Sequence, residues 1–436
     1  MKTIITIKEY ETIVRGEKTQ KVGAITYLKT STFNDLKKFV QESNQGEEIN
    51  LLSVLKLGYN RFYGDTITPQ NYVGLIEMRD GTQIEILPKI SLAEEDKNNS
   101  VSKKVFLKML KSLKEFSGKT FDGSKLDVER MSLNEVFISM FVQEVRSLIK
   151  KGVKSFYEQK EDNLNVFKGK LKIGEQLRLN NVHKERFYVE YDEYTSNRPE
   201  NRLIKSTLLK LETISTYYKN LNEIRNLIYY FDLIDVSYNY ESDFAKVVID
   251  RTSKDYQVLM NWARIFLFNK SFSTFSGSTV SRSILFPMEK VFEQYVASQL
   301  SRCASPYNLR IAKQERRHYL FDEPSRFALR PDIVVYQDNK KVVLDTKWKR
   351  LISQPNSNYG VSQEDMYQMF AYAKKYDASA VYLIYPKNFE KRPFKDDYTT
   401  FKGNDGVIVH VYEVDLNEPQ TFNKLLTFIH ETNIIN

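Results

Sequence analysis

In residues 72–90, YVGLIEMRDGTQIEILPKI, two apolar-rich runs flank Asp80-Gly81. Asp-Gly suits a two-residue type I′ loop, which needs positive φ at both positions, so the pattern predicts a hairpin. VFLKMLKSLKEF (105–116) places its apolar residues at helical spacing. LNEVFISMFVQEVRSLIKKG reads as a helix closing on Gly152. Between 165 and 192 the pattern gives two strands joined by a basic connection, and RPENRLIKSTLLKLETIS then begins another helix.

The last third is the most regular. PMEKVFEQYVASQLS (287–301) predicts a helix with Pro287 in its first turn. An extended segment follows at about 309–321, then strands PDIVVY and KVVLDTKW, helix EDMYQMFAYAKKY, and strands SAVYLIYP and GVIVHVYEVDL. That order describes an α/β domain. The chain therefore divides into a strand-rich N-terminal domain at 1–120, a mixed helix and strand region at 121–255, and an α/β domain at 256–436, giving an α+β to α/β multidomain protein. No repeat, long linker or low-complexity tract interrupts it.

Composition narrows the class. Of 436 residues, 41% are hydrophobic and 13% aromatic, enough for packed cores, while Gly (16) and Pro (11) are too few for a fibrous or disordered chain. The net charge of +9 suits a polyanionic partner, although acidic residues are interspersed. Cys303 is the single cysteine, so neither an internal disulfide nor a cysteine zinc cluster can form. The 4 His form no HExxH pair, which argues against a zinc hydrolase. The N-terminus meets acidic residues too early for a signal peptide, and no apolar run approaches the ~20 residues of a membrane span. A cytoplasmic location is expected.

The chemistry concentrates in RPDIVVYQDNKKVVLDTKWKR (330–350). Two β-branched runs flank QDNK, a hairpin pattern. If the loop is symmetric, Tyr336 pairs with Lys341, and counting back along both strands sets Asp332 opposite Asp345. Opposed side chains have Cβ atoms ~5 Å apart, and Lys347, two residues beyond Asp345, points to the same face. Opposed like charges destabilise a sheet unless something compensates them; a divalent cation such as Mg²⁺ would, by binding Asp332 and Asp345. The competing reading is a strand-end salt bridge between Asp345 and Lys347, with Asp332 capping a turn.

This segment resembles the PD-(D/E)xK nuclease core, and the chain is similar to the McrC family, the nuclease subunit of McrBC-type, 5-methylcytosine-specific restriction systems. VGLIEMRDGTQIEILPKI with FLKMLKSL resembles the family's N-terminal signature, KGKLKIGEQLRLNN and DEYTSNRPENRLIKSTLLKL its middle, and FPMEKVFEQYVASQL, LRPDIVV, VVLDTKWKRL and DMYQMFAYAKKY its nuclease domain. The resemblance implies that Asp332 and Asp345 bind Mg²⁺ and that Lys347 assists catalysis. It suggests Glu293 as the helix carboxylate completing the site; Glu289, one turn earlier on the same face, is the other choice. Gln368 and Tyr372 match the family's helix after the core, as supporting or simply packing residues. The partners it implies are double-stranded DNA and an McrB-like AAA+ NTPase (GTPase) ring, onto which residues in about 1–255 would dock and whose turnover they would stimulate, with 121–255 as the motor-interaction region and 168–186 approaching the ring's channel.

FSGKT (116–120) ends like a phosphate-binding loop, but Leu113 stands where the first glycine belongs and a helix pattern precedes it, so no nucleotide is expected to bind this chain. KQERR (313–317), KWKR (347–350) and KNFEKRPFK (387–395) are possible phosphate contacts. Two other functions fit the same residues: a non-catalytic adaptor between a motor and DNA, and an autonomous repair or recombination nuclease.

Overall fold

The structure is a computed structural model describing residues 3–42, 54–90, 99–113, 116, 131–251, 253–268, 280–337, 340–389, 393–394 and 396–435. Residues 117–120 of FSGKT, the loop residues 338–339, and residues 390–392 and 395 of the third basic group lie outside it. By packing, the chain forms two compact units, one from 1–117, 122–134 and 269–436, the other from 118–121 and 135–268. The fold is mixed α and β, with several sheets. Among the described residues no helix is long and apolar enough to cross a membrane.

Three larger sheets build the first unit. Strands Gln20–Val22, Ile25–Lys29, Thr12–Gly16, Gly64–Pro69 and Leu55–Asn60 lie side by side in that order. A second sheet runs Ile4–Lys8, Gln83–Leu87, Tyr72–Met78, Val280–Pro287. Its last strand comes from the final third of the chain, so the first and third sequence regions share a sheet. Ile7, Ile13, Leu28, Phe33, Phe39, Ile67, Ile76 and Leu285 form one buried core between these elements. Gly74, at φ 149°, lies against Val280–Pro287: a Cβ there would stand 1.9 Å from the Ile284 carbonyl oxygen.

The Asp80-Gly81 hairpin forms, but with a three-residue loop. Met78 N–H donates to the Thr82 carbonyl (2.8 Å) and Gly81 N–H to that of Met78 (3.0 Å). Only Gly81 takes positive φ (84°), as in a type I turn followed by one left-handed residue, and not the expected type I′. The Asp80 carboxylate is engaged, accepting from Thr82 N–H (2.8 Å) and the Thr32 hydroxyl (2.5 Å), which holds Asp80 at negative φ.

The third sheet runs Arg310–Lys313, Ile333–Gln337, Lys340–Thr346, Ala380–Pro386, Ile408–Val414, Tyr398–Lys402, with Lys340–Thr346, Ala380–Pro386 and Ile408–Val414 parallel. One face carries Val334, Val343, Val381 and Leu383 against Met369, Tyr372 and Tyr376 of helix Gln363–Tyr376. On the other, Tyr382 meets Phe428 of helix Thr421–Ile435 at 6.0 Å. Tyr319–Phe321 is not in this sheet; it pairs with Arg326–Ala328 in a separate two-stranded ribbon.

The second unit is helical with one three-stranded sheet. Phe137 and Phe141 of helix Leu133–Lys151 pack on Trp262 and Phe266 of helix Asp255–Phe268, at 5.8 and 5.9 Å. Strands Phe156–Leu164 and Phe187–Thr195 pair antiparallel along their whole length. The expected basic connection between strands holds strand Lys170–Leu171 and helix Ile173–Leu179. None of that helix's residues is buried, and at seven residues it is too short for Ile173 and Leu177 to show a repeating helical period in the sequence.

Candidate active site

The site begins with the 330–350 hairpin. Its register runs from Ile333↔Leu344 to Gln337↔Lys340, with Tyr336 opposite Lys341, as the symmetric loop requires. Ile333, Val334, Val335, Val342, Val343 and Leu344 are buried on both faces, so the hairpin is central to its sheet and its end is fixed. The antiparallel ladder stops one residue short of Asp332. There Asp332 Oδ2 accepts from the Thr346 N–H (2.7 Å) and hydroxyl (2.6 Å), which turns its carboxylate across the strand end beside Asp345.

Asp345 is 3% exposed, pairs with Leu383 of the neighbouring parallel strand, and faces Lys347 Nζ through Oδ2 at 2.7 Å. That oxygen receives no well-directed hydrogen bond and is sealed from solvent. Lys347 Nζ also donates to Gln368 Oε1 (3.0 Å) and lies 3.5 Å from Asp365. Gln368 Nε2 in turn donates to the Tyr372 hydroxyl (2.8 Å). Tyr372 therefore stands behind Gln368, and Gln368 steers Lys347.

Helix Met288–Cys303 brings in the other carboxylates. Glu293 accepts from Gln314 Nε2 (2.8 Å), whose own N–H donates to the Asp332 carbonyl (2.9 Å). Glu289, a turn earlier, accepts from Asn71 Nδ2 (3.0 Å). Both line a hollow of about 340 Å³ together with Arg330, Asp332, Asp345, Lys347, Lys349, Asp365 and Gln368. Of the two, Glu293 is the one whose charge acts on Asp332 and Asp345.

Sequence reasoning missed Asp365, Thr346 and Gln314. Asp365 accepts from Lys349 Nζ (2.7 Å), and its N–H is capped by Ser362 (3.2 Å). A Ser with an acid three residues on, opening a helix, was the available signal. Thr346 and Gln314 act through positions that only the folded strand ends define.

Electrostatics mark the hollow as short of positive charge. Burial, then the Glu293 charge, pushes the Asp332 carboxyl up to about 6. Burial, then Asp332, pushes Asp345 to about 7. Burial and the Asp345 charge likewise raise Glu293. Lys347 goes the opposite way: burial would lower it, but Asp345, Asp365 and Asp332 outweigh burial and hold it above its ordinary value. The neighbouring carboxylates thus favour the protonated form of Lys347. Among the described residues no three His, Cys, Asp or Glu side chains form a ready metal cage. Two crowded carboxylates on an open hollow nevertheless fit Mg²⁺, which keeps several waters and takes one or two carboxylates plus substrate phosphates. The crowded negative charge of Asp332 and Asp345 is what such an ion would neutralise.

Comparison with known proteins decides the family. The McrBC family, described as McrBC 5-methylcytosine restriction system component, matches residues 67–386. The chain belongs to the McrBC family. The McrBC match spans every residue placed in the hollow, from Glu289 to Gln368. A chain of the refined half-complex from the tetradecameric assembly of Thermococcus gammatolerans McrB AAA+ hexamers with bound McrC has a similar fold. It shows TM-score 0.70 and 19% identity over 98% of this chain and 100% of that one. A chain of the Thermococcus gammatolerans McrBC complex seen by cryo-EM has TM-score 0.50 and 21% identity over 69% and 88%. No curated protein matches the sequence. The McrBC-complex chains thus share this fold at low sequence identity.

Proposed function

We propose that this chain is the Mg²⁺-dependent DNA endonuclease subunit of an McrBC-like restriction complex, taking the place of McrC beside an AAA+ NTPase ring. On this reading the six-stranded sheet and its helices are the PD-(D/E)xK core. The observation that carries the proposal is the convergence of Asp332, Asp345 and Lys347 at the end of one buried hairpin, with Glu293 brought in from a separate helix. Nothing in packing asks for three carboxylates that raise one another's pKa; a cation and a phosphodiester do.

In this mechanism Asp332 and Asp345 would hold the divalent ion, and Glu293 would complete its surroundings. When bound, Mg²⁺ neutralises phosphate charge and makes water a better nucleophile. Thr346 keeps the Asp332 carboxylate turned toward Asp345. Lys347, its protonated form favoured by the carboxylates around it and oriented by Gln368, donates to the attacking water or to the phosphate oxygens as negative charge develops. Lys349 and Arg330, on the same wall, can bind flanking phosphates.

The second unit supports the motor half of the proposal. Its hairpin and short helix expose Tyr157, Tyr194, Ile173, Leu177 and Val182, with Lys168, Lys170, Arg178, Lys184 and Arg186 interleaved. An apolar and basic element of this kind is suited to docking on another protein.

The decisive experiment mixes the full chain with its AAA+ partner, nucleotide, Mg²⁺ and methylated plasmid. Asp345→Ala and Lys347→Ala should each cut at least about a thousandfold more slowly while retaining partner binding and thermal stability. Asp332→Asn should lose activity as well. Wild-type cutting by any of the three ends the proposal.

A further inference from the structure

The two-stranded ribbon just ahead of Asp332 has no role in the site as described. Tyr319 pairs with Ala328 and Phe321 with Arg326, and every residue of both strands is exposed. Phe321 is 56% and Phe327 72% exposed, their rings edge to face at 5.9 Å. Phe327 holds φ 56°, a left-handed conformation costly for a bulky residue, and no core contact repays it. Arg316, Arg317, Arg326 and Arg330 are exposed around the ribbon. Arg317 makes only a 3.5 Å pair with Glu315, and Arg316, Arg326 and Arg330 form no ion pair with a described carboxylate.

The ribbon is anchored, while its aromatic and arginine side chains stand exposed. Leu329 N–H donates to the His318 carbonyl (2.9 Å), and the His318 ring packs on Tyr376 at 4.4 Å. Lys375, on the same helix as Gln368, pairs with Asp322 at 2.7 Å. On the site side, Gln314 bonds both Asp332 and Glu293, and Arg330 reaches the hollow.

We infer that this ribbon, residues 319–328 with Arg316 and Arg326, is a duplex-DNA contact that sets the scissile phosphate over the hollow. The inference rests on the nuclease reading above. A two-stranded ribbon is narrow enough for the major groove of B-DNA. Unpaired arginines match backbone phosphates, and the exposed phenylalanines offer apolar surface to sugars and bases. Because the second strand leads through Arg330 and Pro331 directly into Asp332, DNA held by the ribbon is held in register with the carboxylates.

The test measures binding of the full chain to a fluorescent duplex across a salt series. Every protein carries Asp345→Asn, so that the DNA stays intact. Arg316→Ala/Arg326→Ala should weaken duplex binding about tenfold near physiological salt and reduce the slope of log affinity on log salt by about 1.8, since each lost phosphate contact removes about 0.9. Lys at both positions should restore the slope. Phe321→Ala should weaken binding about fivefold with the slope unchanged. Duplex binding indistinguishable from the parent, or a loss confined to single-stranded DNA, overturns the inference. Plasmid cutting by Asp345→Asn at the wild-type rate would sink the nuclease reading but not the ribbon. A dead Asp345→Asn with unaltered ribbon variants would do the reverse.

Discussion

Burial and the neighbouring Asp332 together bias Asp345 toward its protonated form. Its carboxyl is raised to about 7 by burial and by Asp332, so folding favours the protonated group. A carboxyl raised in this way contributes stability below its ordinary pKa, near 4, and that contribution is lost as the pH climbs through about 7. In chelator the wild-type chain should therefore lose thermal stability between about pH 4 and 7, and Asp345→Asn should flatten the curve. At pH 8 the variant should melt a few degrees higher, by about 1–3 kcal/mol, with no gain at pH 4. Adding Mg²⁺ at pH 8 should raise the wild-type melting temperature and leave the variant's unchanged. Melting curves in EDTA and in Mg²⁺ at three pH values check this; a wild-type profile flat from pH 5 to 8 counts against it. Single residues also show what sequence can and cannot say. Asp332, Asp345 and Lys347 were legible because one short hairpin relates them by counting, whereas Gln314 and Thr346 contact their partners where the ladder has already ended.

At the scale of elements, the strand Val280–Pro287 runs straight into the helix that carries Glu289 and Glu293, and Met288 N–H donates to the Asn71 carbonyl (2.9 Å). Whatever fixes that strand aims the helix. Gly74→Ala would drive a methyl into the Ile284 carbonyl and force the two strands apart. It should cost about 3 kcal/mol or more, and Glu293 should be displaced with the strand, so activity per folded molecule should fall as well. Cleavage rates normalised to the folded fraction separate the two effects; activity that tracks only stability would show the strand to be mere scaffolding. Local elements were readable from periodicity, among them the 72–87 hairpin, the helix at Met288–Cys303 and helix Gln363–Tyr376. The pairing of Val280–Pro287 with Tyr72–Met78 was not, since nothing within either segment names so distant a partner. Helix Ile173–Leu179 was hidden for another reason: it is too short for its apolar pair, Ile173 and Leu177, to establish a period. The Asp80 loop was misassigned because the Thr32 hydroxyl, far away in sequence, competes for the aspartate.

At the scale of the molecule, the second unit is an insertion, and on the proposed reading it addresses the motor while the first unit holds the chemistry. Ile173→Asp/Leu177→Asp should abolish association with the AAA+ partner and stimulation of its nucleotide hydrolysis, leaving the melting temperature within about a degree because both side chains are largely exposed. Size-exclusion chromatography of the mixture and a hydrolysis assay read this directly; full association would move the docking surface elsewhere. The sheet shared between chain beginning and chain end has one more consequence, for the order in which the protein is made. Strand Tyr72–Met78 leaves the ribosome about 200 residues before Val280–Pro287 can close its open edge, so the nascent chain must shield an apolar edge throughout synthesis of the insertion. The acidic hairpin emerges later still, and its sheet waits for Ile408–Val414. No half-made chain can therefore hold the finished sheet, and on the proposed reading a cell meets an armed nuclease beside its own genome only when translation is almost finished.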